Sequence, residues 1–312
     1  APYDLSDVLF ICTANSLDTI PQPLLDRMEV IQFQGYTPVE KMQIAREHLI
    51  PKSMEAMGIA TDQMSVTDEA LKTLISEYTM EGGVRGLRKR IDELCRGLAV
   101  KVSLDSDTKI KVTPDVIREE IDMRPIRHDS VLPESSVGVV TGLAWTPVGG
   151  EILYIETKLI PGKGQLIITG QLGDVMKESA RIALSIATAL FPDEAKKLKN
   201  HDLHIHVPAG AIPKDGPSAG VTLTTAIASL LTGKTIDSHI AMTGEVALRG
   251  KVTAIGGLPE KLMAAQRAGI TKVFIPKDNV YDLKEVALEI KKTVEIVPVA
   301  KVTDILKATG IM

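Results

Sequence analysis

Pro213-Lys-Asp-Gly-Pro-Ser218-Ala-Gly220 sets one serine between small and rigid residues, at the mouth of the apolar run Ala219 to Leu231. A nucleophilic serine needs its hydroxyl exposed on a tight turn, with little bulk nearby and backbone N–H groups free to meet an oxyanion. Gly216 and Gly220 permit close backbone approach, and Pro217 stiffens the entry. The run that follows holds only small, apolar or Ser/Thr residues, so it reads as a buried helix whose N-terminus points at Ser218. Free N–H groups and the positive dipole end at that terminus favour developing negative charge. On these local residues alone, a tight turn with Ser218 as an N-cap is an equally good reading.

Outward from this turn, composition sets bounds. The chain has 312 residues, more than one ordinary domain, with 44% hydrophobic and 24% charged residues. Aromatics are only 3%, so aliphatic and Met side chains fill the interior, and a base-stacking platform for single-stranded nucleic acid is disfavoured. The net charge of −4 gives no global attraction to DNA or an anionic membrane. Cys12 and Cys95 lie far apart without metal-type spacing and read as reduced thiols. No apolar run approaches the ~20 residues that cross a bilayer. The first residues lack a signal-peptide pattern, so the expectation is a soluble, intracellular protein.

The chain reads as α+β. Val8 to Ala14 is a continuous apolar run of strand length, with Asn15 at its end where open α/β sheets hold ligands, and Val30 to Phe33 is a second short strand. No partner strands occur nearby, so residues 1–36 read as the end of a larger α/β domain. Residues 37–124 read as a small, mainly helical domain. Thr37-Pro-Val-Glu40 opens a helix running to about Leu49 and stopping near Pro51. Thr67 opens a second, and a third carries Leu87, Ile91, Leu94, Cys95, Leu98 and Val102 on one stripe. Residues 125–136 are polar and aperiodic, a linker composition. Residues 137–312 alternate strands and helices as a mixed domain.

The serine hydroxyl needs a base. His204 and His206 share one strand face and read as core or supporting histidines, without a third ligand at metal-type spacing. Lys261 lies in Ile255-Gly-Gly-Leu-Pro-Glu-Lys261-Leu-Met-Ala-Ala, near the start of a helix and among apolar neighbours. A free lysine titrates near ~10.4, so a base working near neutrality needs a pKa ~3 units lower, about 4 kcal/mol. Burial and the helix dipole act in that direction. Read alone, a helix-start lysine is more commonly a surface residue.

Together the two stretches resemble the Lon family of ATP-dependent serine proteases, over nearly the whole chain. The octapeptide is similar to that family's nucleophile motif, and Gly-Gly-Leu-x-Glu-Lys to its base motif, with Pro259 here where many relatives have lysine. The resemblance implies a Ser218–Lys261 dyad that needs no cofactor and no metal. It also implies that Thr243 holds the lysine and that Asp215 sits beside the serine and helps set its turn. His206 and Glu156 are possible supporting groups, and Trp145 matches a common aromatic position, read here as core or groove lining.

In the front half, the resemblance extends to the tail of a AAA+ module followed by its helical lid. Asn15 matches a γ-phosphate sensor, Arg27 an arginine reaching a neighbouring subunit's nucleotide, and Arg85 a lid arginine on bound nucleotide. Gly-x-x-x-x-Gly-Lys-Ser/Thr occurs nowhere, nor an apolar strand ending in paired acids. The chain therefore reads as a C-terminal portion of a longer polypeptide, whose parent would use ATP and Mg. The implied parent is a hexameric ring that degrades unfolded or damaged proteins, bacterial cytoplasmic or else in the mitochondrial matrix. Two other classes remain: a scaffold that drives ring assembly, and a DNA binder using Arg85, Arg88, Lys89 and Arg90.

Overall fold

The computed structural model describes residues 4–312 apart from 15, 16, 18, 32, 34, 106, 127–129, 147, 148, 210 and 211. Two compact units result, Ala1–Gln34 and Gly35–Met312. In the first, the only regular element among the described residues is a single helical turn, Gln22–Leu25, opened by Pro21. The expected strand over Val8 to Ala14 does not form. Leu9 and Ile11 are each 84% exposed, because a strand is made by its neighbours and none lies within this unit. Val30, Ile31 and Phe33 are likewise exposed and outside any strand, for the same reason. Asn15 lies outside the described residues.

The larger unit begins with helices whose ends follow local chemistry. Thr37 accepts from the Glu40 amide, while the Glu40 carboxylate accepts from the Thr37 amide, closing a capping box on Pro38–Ile44. The helix does not stop near Pro51 as its sequence predicts. A π-turn at Ala45–Leu49 hands over to a further helical segment, Ile50–Ala56, and the wider turn accommodates the proline's missing N–H. Thr67 caps Asp68–Glu77 through the Ala70 amide. The long helix Arg85–Leu104 has no cap of its own, and Glu81 serves instead, accepting from the Gly86 and Leu87 amides. Its stripe Leu87, Ile91, Leu94, Cys95, Leu98 and Val102 is buried throughout, as the period predicts. Met64–Val66 pairs in parallel with Ile110–Val112 to close this helical region.

Around the serine the core is a seven-stranded mixed sheet. Its order is Glu295–Val299, Lys272–Pro276, Ile240–Met242, Val139–Thr146, Gly149–Pro161, His201–His206, Leu166–Thr169. The first four run parallel, the hairpin 139–161 and its contact with His201–His206 are antiparallel, and Leu166–Thr169 is parallel to His201–His206. Helices Asp174–Leu190 and Gly220–Thr232 pack in one apolar cluster, while Leu258–Ala268 belongs to another. In Gly220–Thr232, 11 of 13 residues are buried. Its Thr224 and Thr225 hydroxyls donate to carbonyls one turn back, which makes their burial tolerable. The connecting segment is tied near its start and at its middle: the Ile126 amide donates to the Glu77 carbonyl and the Val131 amide to the Ala268 carbonyl.

Candidate active site

Ser218 sits in the short 3-10 turn Pro217–Ala219, which runs directly into Gly220–Thr232. Gly216 opens the turn at φ +117°, a conformation that side-chain-bearing residues rarely adopt, with open space where a Cβ would stand. The turn is fixed to Gly244 by a reciprocal pair: Gly244 N donates to Ser218 O at 2.8 Å, and Val221 N to Gly244 O at 3.1 Å. Gly220 permits this approach, since a Cβ there would lie 2.9 Å from the Val246 amide. Ser218 itself is half-buried.

Lys261 comes from the other side. Gly256-Gly257 turns the chain, Gly257 at φ +68°, into Leu258–Ala268 with Pro259 in its first turn. Lys261 is 2% exposed, and burial pulls its pKa down to about 8 against the opposing charge of Glu260. Its Nζ donates to Thr243 Oγ1 at 3.2 Å, and Thr243 Oγ1 donates to the Ser218 carbonyl at 3.4 Å. Thr243 is fixed in turn by its amide, which donates to Phe274 O at 3.1 Å. Among the described residues no hydrogen bond joins Ser218 Oγ to Lys261 Nζ directly. Both line one groove of about 1290 Å³, with Leu143, Trp145, Tyr154, Met176 and Ile212 among its apolar walls.

Asp215 is exposed and lines the same groove, but its hydrogen bonds do not go to the lysine. Its Oδ1 accepts from Met176 N and Gly216 N, both at 2.9 Å. These amides hold its carboxyl below the usual carboxylate range, with Met176 the larger cause. Helix Asp174–Leu190 starts at Gly173 without a side-chain cap, so Asp215 caps it from a distant segment. The same bond occupies the Gly216 N–H, and Pro217 has none. Among the described residues, the turn's N–H groups without a hydrogen bond to another segment are those of Ser218 and Ala219.

The remaining expected residues scatter. His204 and His206 both hydrogen-bond to Thr169 Oγ1, at 2.9 and 2.7 Å, and Glu156 is the register partner of His206. None of the three lines the groove. No group of three His, Cys, Asp or Glu residues among the described residues is arranged to hold a metal. Arg27 and Arg85 are exposed. Arg88 pairs with Asp92 and Arg90 with Glu93 on their own helix, so the basic cluster there is partly neutralised.

Sequence reasoning missed the hairpin's grip on the lysine helix. A Cβ on Gly150 would stand 2.0 Å from the Glu260 carbonyl oxygen and 3.0 Å from the Lys261 amide. Arg267 donates to the Gly150 carbonyl at 2.9 Å and pairs with Glu151 at 3.0 Å. Trp145 packs its ring on Gly257, 2.6 Å from where a Cβ would be. A Gly-Gly turn signals a hairpin but not what passes behind it.

Comparison with known proteins bears on this geometry. Residues 111–311 match the family model described as the Lon protease (S16) C-terminal proteolytic domain, and residues 55–113 match the Lon protease AAA+ ATPase lid domain. The chain is 54% identical over 309 residues to a Lon protease of Clostridium beijerinckii, covering 99% of this chain and 39% of that protein. It is 50% identical over 309 residues to a Lon protease of Methanosarcina barkeri, covering 98% and 38%. A Lon protease of Geobacter metallireducens is 47% identical over 312 residues, with 98% and 37% covered. The chain thus spans about two fifths of the length of these curated relatives.

Proposed function

The chain belongs to the Lon protease family, and from that membership we propose that it is a serine-type endopeptidase in which Ser218 attacks and Lys261 is the base. The observation that carries this reading is the burial of Lys261, with its pKa brought to about 8, beside the groove that also holds Ser218. Neutral Lys261 takes the Ser218 proton as Oγ adds to a peptide carbonyl. The Ser218 and Ala219 N–H groups, at the head of the buried helix, stabilise the tetrahedral oxyanion. Lys261 then protonates the leaving amine, and water hydrolyses the acyl-enzyme by the same route in reverse. Thr243 holds Nζ within reach of the serine. Rotation of the Ser218 side chain completes the contact when substrate enters, since such bonds tighten in the substrate complex.

Ser218→Ala and Lys261→Ala should each abolish cleavage of a fluorogenic peptide while circular dichroism stays native. Turnover near wild type in either folded variant overturns the dyad.

ATP and Mg are a separate matter. Arg27 and Arg85 offer cations, but the backbone phosphate cradle and the paired magnesium acids are absent from the sequence, so the donor set does not fit the nucleotide. We propose that this chain neither binds ATP tightly nor hydrolyses it, and that ATP-driven degradation of unfolded proteins by a hexameric ring belongs to the longer protein. Saturable binding at sub-millimolar ATP in a calorimetric titration would contradict this.

A further inference from the structure

Lys214 stands four residues before Ser218, and no step of the proposed reaction uses it. Its Nζ donates to three backbone carbonyls: Ala209 at 2.8 Å, Ile212 at 3.1 Å and Gly170 at 3.3 Å. An ammonium has three N–H donors, so all are engaged. Among the described residues no carboxylate pairs with it. Its main chain is stitched to the same neighbours. Lys214 N donates to Gln171 O at 3.1 Å, and Gly173 N donates to Lys214 O at 2.7 Å.

The backbone gathered here is strained. Gln171 at φ 55° and Ala209 at φ 61° are the only non-glycine residues at positive φ among the described residues. Each is unfavourable for a residue that carries a side chain and persists only when its surroundings hold it. Gly170 lies at φ +111°, and a Cβ on it would meet the Val207 carbonyl oxygen at 2.1 Å. Carbonyl oxygens converging on one point repel one another, and a cation at their focus reverses the sign of that interaction. Burial alone pulls the Lys214 pKa down, with no acidic neighbour opposing it.

We infer that Lys214 is a positioning residue for the serine turn: its ammonium, at the focus of the Gly170, Ala209 and Ile212 carbonyls, holds Gln171 and Ala209 in their strained conformations. It thereby sets the path of the chain into Gly216 and Ser218. This rests on the reading of Ser218 as nucleophile. With the pin in place, Asp215 reaches the Met176 amide and Gly216 keeps its positive φ.

Lys214→Met keeps the stem and removes the ammonium, and Lys214→Arg keeps a cation with several donors. The test compares both with the unchanged chain in three measurements: peptide turnover, labelling of Ser218 by a fluorophosphonate, and amide exchange at Gly173 and Gly216. In Lys214→Met, kcat should fall roughly 100-fold with KM nearly unchanged, and Ser218 labelling should slow in proportion. Exchange at Gly173 and Gly216 should rise about tenfold or more, while the helix Gly220–Thr232 stays protected. Lys214→Arg should recover part of both kcat and protection. Wild-type kcat in Lys214→Met overturns the inference, and so does a loss of kcat with unchanged exchange at those two amides. Should the Met variant not fold, Lys214→Gln is read in the same way. If the unchanged chain takes no label at Ser218, the nucleophile reading fails, while the exchange measurement still decides the role of Lys214.

Discussion

The two sides of the groove are built from opposite materials. The serine turn is held by hydrogen bonds: Asp215 to two amides, Lys214 to three carbonyls, and Ser218 O to the Gly244 amide. The lysine helix is held mainly by packing, with Arg267 near its far end adding a hydrogen bond to the Gly150 carbonyl and an ion pair with Glu151. Leu258, Leu262, Ala264 and Ala265 are each at most 1% exposed, and the hairpin backbone rests on Glu260 where no side chain would fit. Polar ties are directional and individually weak, so they fix a conformation that can still be re-made. Close packing admits no such adjustment. On the proposed reading, the nucleophile therefore sits on the side that can adapt to a substrate, and the base on the side that must stay dry to remain a base.

That contrast can be broken at several points. The largest effect is at the dyad, where Ser218→Ala and Lys261→Met should both be inactive but should differ in stability. In Lys261 the folded pKa of about 8 lies below that of an unfolded lysine, so the unfolded chain binds more protons between those values. The burial penalty is fully present below pH 8 and disappears as pH rises toward the unfolded pKa. Lys261→Met should therefore raise unfolding stability at pH 7 by on the order of 1–3 kcal/mol, while Ser218→Ala should leave it nearly unchanged. Equal melting curves for the two variants would mean that Lys261 is not buried as a charge.

Gly150→Ala comes next. The atom in its way is the Glu260 backbone, which cannot swing aside. A displaced lysine helix should cost roughly 100-fold in kcat together with a lower melting temperature. Proton transfer sharpens the comparison further. In the proposed mechanism neutral Lys261 is the working form, so kcat/KM should rise about tenfold per pH unit up to about 8 and level off above it. Glu260→Gln removes the charge that raises this pKa, so the rising limb should move to lower pH. A limb that moves upward, or not at all, would detach the pH profile from Lys261. The smallest effect is expected on the polar side. A Cβ at Gly173 would lie 2.3 Å from the Asp215 carboxyl carbon and 2.7 Å from its Cβ, so the segment carrying Asp215 must shift, but hydrogen bonds of this kind can be re-made after the shift. Gly173→Ala should lower kcat by only a few-fold, a cost on the order of 1 kcal/mol.

How much of this was legible depended on whether the signal was local. The Thr37 capping box, the Leu87-to-Val102 stripe and the glycine-bounded serine helix announce themselves within a few residues, and each forms as read. The strand expected over Val8 to Ala14 failed because its identity lay in partners the chain does not supply. The helix carried past Pro51 because a π-turn, invisible to a 3.6-residue period, absorbed the proline. At the site, the serine and lysine stretches are legible as motifs, whereas Gly150 behind Glu260 and the Lys214 carbonyl cage depend on contacts between distant segments. For Asp215 the family motif suggested proximity to Ser218, and one of its two hydrogen bonds runs to a helix start 39 residues away.

Trp145 is the only tryptophan in the chain, and it is 54% exposed on the groove wall against the turn that opens the lysine helix. Every photon of indole emission therefore comes from one place, a face that water touches when the groove is open. A peptide lying in the groove, as the proposed function requires, should exclude that water and shift the emission to shorter wavelength. Trp145 would then serve as an optical reporter of occupancy, readable without a label and in variants such as Ser218→Ala that should bind without turnover.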